Sequence, residues 1–281
     1  MIINPLVAGR GKISEIEWRL KRGGLEYKTA FSKRAGQCRE LAKEHAGEYE
    51  MLVAVGGDGT VNEVANGIMD SGAVDSVLGV IPVGRGNDFA RSIGFPIEYR
   101  EACDRLFDDK VRVIDIGKAN DRYFVGTAGV GFFAESMLRF PSWPFPARYL
   151  VYIAVLRTLL EHKNADLTIS INGKDLQGKI FGISINNGKY IGAGSPIAPQ
   201  AEMDDGLLDI IVFKDISRLE AVSNFSKVIE GTHLEHPKVE MYRGRRIKVL
   251  GTKVYYHTDG EVVGRTPATF EVYHKKLRVK V

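Results

Sequence analysis

No run of about twenty uncharged apolar residues, the length that crosses a bilayer as a helix, occurs in the 281-residue sequence. The opening MIINPLVAGRGK lacks the apolar core of a signal peptide, so the expectation is a protein neither exported nor membrane-spanning. Cysteine is almost absent. Cys38 and Cys103 lie far apart without metal-ligand spacing, which argues against a disulfide framework or a zinc site and fits reduced thiols in the cytoplasm. Neither sign of charge dominates: 39 Lys+Arg against 35 Asp+Glu leave +4, scattered along the chain. That is too little and too dispersed for nucleic acid, though it suits anionic lipid or phosphate. Internal repeats and low-complexity linkers are missing, and 44% apolar with 26% charged residues is the composition of an ordinary folded protein.

What is present divides in two. Up to about residue 115, apolar runs alternate with helical patterns. Strands are expected at MII, 26–31, MLVAV (51–55) and VLGVI (77–81), and helices at 13–22, 35–45, 60–69 and after Pro96. This alternation predicts a doubly wound α/β domain with its ligand site beyond the strand C-termini. From about Val111, short β-branched runs between Gly, Asn and Asp turns take over, with INGK a hairpin signal and helices at 147–162 and 217–230. The second half is therefore expected to be a β-rich sandwich, with domains at 1–118 and 119–281.

Four stretches bear chemistry. GGDGT (56–60) follows a buried-looking strand and opens a helix. A glycine turn there turns backbone N–H groups toward an anion, but Asp58 would repel phosphate unless a divalent cation stood between them. IPVGRGNDFAR (81–91) repeats that grammar after the next strand, with Arg85 either a phosphate clamp or an exposed turn residue. APQAEMDDGLLD (198–209) is either a solvated loop or a turn whose carbonyls and one carboxylate hold a hard cation. In YHTDGEVVG (256–264), DG signals a hairpin turn, and Glu261 is either exposed or a base aimed into a cleft.

Taken in order, NP near the N-terminus, GGDGTxNE, PxGxGNDFAR, DIGK, the DDGLLD segment and DGE resemble the diacylglycerol kinase catalytic family, in particular its soluble bacterial lipid kinases, over essentially the whole chain. GGDGT alone is shared with NAD kinases. The resemblance implies an ATP site of Asn4, Pro5, Ser32, Gly56, Gly57, Asp58, Gly59, Thr60, Asn62, Gly84, Arg85, Gly86 and Asn87. It implies that Asp58, Asp88 and Asp115 form an acidic, water-linked network around a catalytic Mg²⁺. A second, structural Mg²⁺ would sit on the Asp205 side chain and the main-chain oxygens of Glu202 and Leu207, with Glu261 as general base. Arg85 departs from the family pattern, which has Thr or Ser there, and puts the nucleotide subsite in question.

The expected activity is ATP-dependent phosphorylation of a lipid hydroxyl, diacylglycerol first. The alternatives are a sphingoid base, phosphatidylglycerol, a polyprenol or NAD as acceptor, or a weakly catalytic nucleotide- or lipid-binding regulator. A cytoplasmic enzyme touching the membrane surface is expected, with a homodimer left open. Trp143 or Phe145, flanked by Arg148 and Arg157, either meets the interface or packs on the second domain. His233 and His236 lack a third ligand nearby and are read as solvated or helix-end residues.

Overall fold

The computed structural model describes residues 1–73, 75–139 and 147–281; Trp143 and Phe145 lie outside them. In the first half, strands β1 (Ile2–Ile3), β2 (Ala30–Phe31), β3 (Met51–Gly56), β4 (Val77–Pro82) and β5 (Val111–Ala119) alternate with helices α1 (Pro5–Ala8), α2 (Arg10–Arg22), α3 (Gln37–His45), α4 (Asp58–Ser71), α5 (Asp88–Ser92) and α6 (Tyr99–Arg105). β2, β1, β3 and β4 form a parallel sheet in that order. All of β4 and all but the first residue of β3 are buried, as strands covered on both faces must be. The expected strand at 26–31 shortens to two paired residues. Leu25 and Tyr27 pack on the core while Glu26 and Lys28 point out, so the alternation there belongs to an extended edge rather than to a ladder.

The second half contains β6 (Arg122–Phe124), β7 (Thr127–Gly131), β8 (Ala165–Ile171), β9 (Lys174–Asn186), β10 (Leu208–Lys214), β11 (Val239–Gly244), β12 (Arg246–Gly251), β13 (Tyr255–Thr258), β14 (Glu261–Arg265) and β15 (Ala268–Lys280). Antiparallel neighbours run β14-β13-β7-β9-β8-β12-β15, and β10 pairs with β9 and β11. The INGK turn forms as expected, with Asn172 at φ 50° and Gly173 at φ 82°. β15 has a role no pattern announces. Its first residues pair with β12, and Arg278 and Val279 pair in parallel with Val77 and Leu78 of β4. The final strand thus joins the two sheets.

Among the described residues, four helices cover one end of this half: α7 (Phe132–Leu138), α8 (Ala147–Glu161), α9 (Arg218–Ser223) and α10 (Phe225–Glu230). The single helix expected at 217–230 breaks at Asn224, whose Nδ2 donates to the Glu220 carbonyl at 2.9 Å and so competes with the helical ladder. Cys38 and Cys103 are buried free thiols. Burial raises the pKa of both, that of Cys103 to about 12, so neither is reactive.

Candidate active site

The two glycine turns meet because β3 and β4 run side by side, Gly56 opposite Pro82. Their backbones touch. A Cβ on Gly84 would lie 2.3 Å from Cα of Gly57, and one on Gly56 would lie 2.2 Å from Oγ1 of the buried Thr60. A Cβ on Gly59, in the first turn of α4, would have nothing within 4 Å of it. Gly56 and Gly84 are therefore required by packing alone, whereas nothing in the protein itself requires Gly59.

This contact brings the acids together. Asp58 Oδ1 accepts the Phe89 N–H at 3.0 Å, so the acid of the first turn caps the helix opened by the second. The Asp88 carboxylate accepts N–H groups from Gly194 at 2.7 Å and Ala193 at 3.0 Å. Gly86 lies between the two carboxylates: a Cβ there would be 3.0 Å from Asp58 Oδ2 and 3.4 Å from Asp88 Oδ2. Burial first, and the nearby Asp58 charge second, raise the Asp88 carboxyl to about 6. Two crowded acids beside the N-terminus of a 14-residue helix fit a divalent cation that bridges to phosphate.

A second acid ties the halves of the chain. Asp259, with Gly260, forms the β13–β14 turn at φ 44° and 87°, the hairpin that DG signals. Its half-buried carboxylate accepts from Asn62 Nδ2 at 2.6 Å and from the N–H groups of Val125, Gly126 and Thr127 at 2.8, 2.9 and 2.8 Å. Burial outweighs these donors and lifts its carboxyl to about 6. Asn62, expected at the nucleotide, thus points its amide at the other half and also donates to the Tyr123 carbonyl. Asn66 adds two bonds to the backbone of Tyr123. Sequence reasoning singled out neither Asp259 nor Asn66, because DG reads as a turn and a mid-helix Asn reads as nothing.

The other predicted residues are more dispersed. Glu261 follows the Asp259–Gly260 turn, but its exposed carboxylate pairs with Arg122 at 2.6 Å rather than lining the cavity. Asp115 is fully buried, and its carboxylate accepts from the N–H groups of Gly206 and Lys275 and pairs with His274, all within 2.8 Å. It anchors the DDG turn to β15, and it is not brought to the cavity with Asp58 and Asp88. Asn4 caps α1 through Leu6 N–H, Pro5 takes the first helical position, and Ser32 is buried beside β1. Asn87, at φ 55°, donates to the Gly84 carbonyl, while Arg85 is exposed at the cavity rim.

At the DDG turn, Asp205 accepts the Leu207 N–H at 2.9 Å and pairs with Arg243. Asp209, 1% exposed, lies opposite Arg243 across the β10–β11 ladder, Oδ1 3.2 Å from Nε, yet neither of its oxygens accepts a hydrogen bond. Burial raises its carboxyl to about 6. An unsatisfied buried acid beside a main-chain turn suits a hard cation. Among the described residues, no group of three or more His, Cys, Asp or Glu side chains gathers as a metal cluster, so any ion here depends on backbone or phosphate oxygens as well. His233 and His236 form no pair: His233 Nε2 bonds the Ile197 carbonyl and His236 Nδ1 accepts the Lys238 N–H.

From the acids a cavity of about 340 Å³ runs into the second half. Asp58, Asp88 and Asp259 stand at one end; Phe132, Phe181, Val155 and Phe213 are among its walls. His257, 1% exposed and pushed down to about 4 by burial, adds a neutral ring beside Asp259.

Residues 1–119 match the family model described as diacylglycerol kinase catalytic domain, and residues 127–281 the one described as YegS C-terminal NAD kinase beta sandwich-like domain. A diacylglycerol kinase of Bacillus subtilis (strain 168) is 30% identical over 274 residues, which cover 95% of this chain and 89% of that protein. One of Staphylococcus haemolyticus is 31% identical over 256 residues, 90% and 77% of the respective chains. Two solved structures from Bacillus anthracis share the fold. One has a TM-score of 0.83 at 24% identity, covering 99% of this chain and 95% of its own. The other, described as a diacylglycerol kinase, has 0.79 at 22%, covering 99% and 94%. Fold and site thus define a two-domain kinase, an enzyme that uses ATP. The chain belongs to the diacylglycerol kinase family.

Proposed function

We propose that the protein transfers the γ-phosphate of ATP to the free hydroxyl of diacylglycerol, with Mg²⁺, at a membrane surface on the cytoplasmic side. The observation that carries this is the cavity: apolar along its length, it ends on Asp58 and Asp88 at helix N-termini, where an acyl chain and a phosphate would meet. Bound Mg²⁺ would neutralise phosphate charge and polarise the transferring phosphoryl group. Asp58 and Asp88 would hold it, and their crowding is relieved when it is there. The first N–H groups of α4, with Gly59 clearing their approach, face the phosphates. Asn4, Pro5, Ser32 and the 84–87 turn border the same strand ends, and Arg85 brings a cation where the family has a hydroxyl.

Glu261 takes the proton of the acceptor hydroxyl at a carboxylate oxygen, having left Arg122. Asp259 holds the turn that carries it. Asp205, with the main-chain oxygens of Glu202 and Leu207, would hold the structural ion, and Asp115 positions that turn through Gly206. No helix among the described residues is long and apolar enough to cross a membrane. Every residue invoked comes from one chain, so the reaction as drawn does not call on a dimer. Labelled ATP offered with diacylglycerol, a sphingoid base, phosphatidylglycerol, a polyprenol and NAD tests the reading: diacylglycerol should accept label best, and a preference for any other acceptor overturns the assignment.

A further inference from the structure

Among the described residues, the cavity wall holds a histidine whose N–H the protein leaves unpaired. His257 and Asp259 line the cavity while Thr258, between them, does not, as alternation along β13 requires. His257 is 1% exposed, and its ring uses the room that Gly129 leaves at the facing position of β7, where a Cβ would lie 2.5 Å from Nε2. The Nδ1 atom accepts the Gly260 N–H at 3.3 Å, which puts the proton of the neutral ring on Nε2. That Nε2 is buried and has no hydrogen-bond partner. Burial also pushes the ring's pKa down to about 4, so at neutral pH it is a donor and not a cation.

Buried N–H groups are nearly always paired, and an orphan in the wall of a ligand cavity marks a bond that the ligand completes. The neighbours cannot complete it. Asp259 already carries two donors on each oxygen, Asn62 and Val125 on Oδ2, Gly126 and Thr127 on Oδ1. Phe133, whose Cβ crowds the same Gly129, offers no acceptor. The cavity's other buried histidine shows the contrast: His233 Nε2 spends its proton on the Ile197 carbonyl at 3.0 Å. What the orphan lacks is therefore an oxygen of the ligand, and one close to the reacting end, because His257 stands beside the acids. An ammonium group or a hydrocarbon chain has no such oxygen; an ester of glycerol places a carbonyl a few bonds from its free hydroxyl. We propose that His257 reads the acceptor, its Nε2–H donating to an ester carbonyl oxygen of the lipid whose hydroxyl is phosphorylated. The proposal rests on the lipid-kinase reading for what enters the cavity, and it makes His257 a specificity-determining residue that favours glycerol esters over a sphingoid base or a polyprenol.

A matched pair of lipids tests it: 1,2-dioctanoylglycerol, which has ester carbonyls, and 1,2-dioctylglycerol, an ether that has none. Calorimetric binding without ATP and kcat/KM with labelled ATP each give an ester-to-ether ratio for the full chain and for His257→Phe. Comparing ratios cancels both the difference in hydrophobicity between the lipids and any loss of folded protein. The ratio should fall at least about tenfold in the variant through weaker ester binding, with the ether unchanged within about twofold. His257→Leu, smaller than the ring, repeats the measurement in case Phe does not fit beside Gly129, with the same result expected. A smaller change in the ratio overturns the assignment. So does an equal loss on both lipids, which would put the donor on the hydroxyl they share or make His257 structural only. A tenfold fall in the binding ratio, with no label transferred to either lipid by the wild type, would keep the carbonyl contact and overturn the diacylglycerol reading. Transfer to both lipids with an unchanged ratio would keep that reading and overturn the contact.

Discussion

Gly59→Ala and Gly84→Ala, one substitution at each of two glycine turns, should have opposite effects on stability although the sequence treats the residues alike. At Gly84 the new methyl carbon would sit 2.3 Å from Cα of Gly57, well inside the roughly 3.5–4.0 Å that two carbons tolerate. Backbone cannot swing aside like a side-chain tip, so the turns must part by more than about 1 Å. Overpacking of this kind costs about 1–3 kcal/mol, and the melting temperature should drop by roughly 5 °C. The same movement pulls Asp58 from Phe89 N–H and separates it from Asp88, so turnover should fall about a hundredfold. At Gly59 the methyl meets nothing and the φ is ordinary, so the helix gains about 0.5 kcal/mol, the low end of the range because the site is in the first turn. Melting should rise by about 1–2 °C. If phosphate closes on these N–H groups, that same methyl stands in its way, and the KM for ATP should rise at least about tenfold. Calorimetry and initial rates at varied ATP decide both. An unshifted KM in Gly59→Ala would refute the phosphate approach to this turn, and unchanged melting in Gly84→Ala would refute the packing argument.

Glu261→Gln should lower turnover by about a hundredfold or more with ATP affinity nearly intact, since the side chain is exposed and pairs with Arg122 alone among the described residues; steady-state rates that match the wild type would remove it from the base role. Asp259→Asn turns two accepted hydrogen bonds into donor–donor clashes, with Val125 N–H and the Asn62 amide, and should destabilise by about 3 kcal/mol. A loss under about 1 kcal/mol in denaturant titration would mean the tie is not structural. For Asp88 the sign follows from its folded value lying above its ordinary one: its stabilisation is complete below about pH 4 and lost as pH rises through about 6. Asp209 and Asp259 titrate in the same direction and His257 oppositely, so the measurement is a difference. The melting temperature of wild type minus that of Asp88→Asn, without divalent ions, should fall between pH 4.5 and 7.5 by the equivalent of at most about 3 kcal/mol, and Mg²⁺ should restore it at pH 7.5; a pH-independent difference would show that Asp88 is not strained by its surroundings.

How much of this was legible differs from element to element. MLVAV and VLGVI announced buried parallel strands because continuous apolar runs have few other uses, and INGK and DG announced hairpins because both central residues need positive φ. The last strand was legible as a strand but not as the one that returns to β4, since LRVKV carries the same alternation as its neighbours and pairing partners leave no local mark. The break at Asn224 was hidden for a related reason: one polar residue in a helical pattern is tolerated until its side chain finds a carbonyl. At the site, the glycine turns and Asp58 and Asp88 were visible because close approach and paired acids restrict residue type sharply. Asn62 was visible but its partner was not, because a bond between residues 197 positions apart has no sequence signature.

That bond also bears on which part of the site moves. Asp259 is half-buried and held by four donors, three of them main-chain and one from α4, so the β13–β14 turn is fixed to both halves at once. The Tyr123 backbone is pinned to Asn62 and Asn66 on the same helix. A large closure between the halves would have to break this part-buried set together, at a cost of several kcal/mol. Glu261, two residues beyond Asp259, is in the opposite condition: exposed, and held by one ion pair of the kind that contributes about 1 kcal/mol or less in water. Glu261, the base in the proposed reaction, is therefore the acid here that can reorient cheaply, while Asp58 and Asp88 are held by backbone N–H groups. With Glu261 as the proposed base, the reaction would ask for a side chain to leave Arg122, and not for two domains to close.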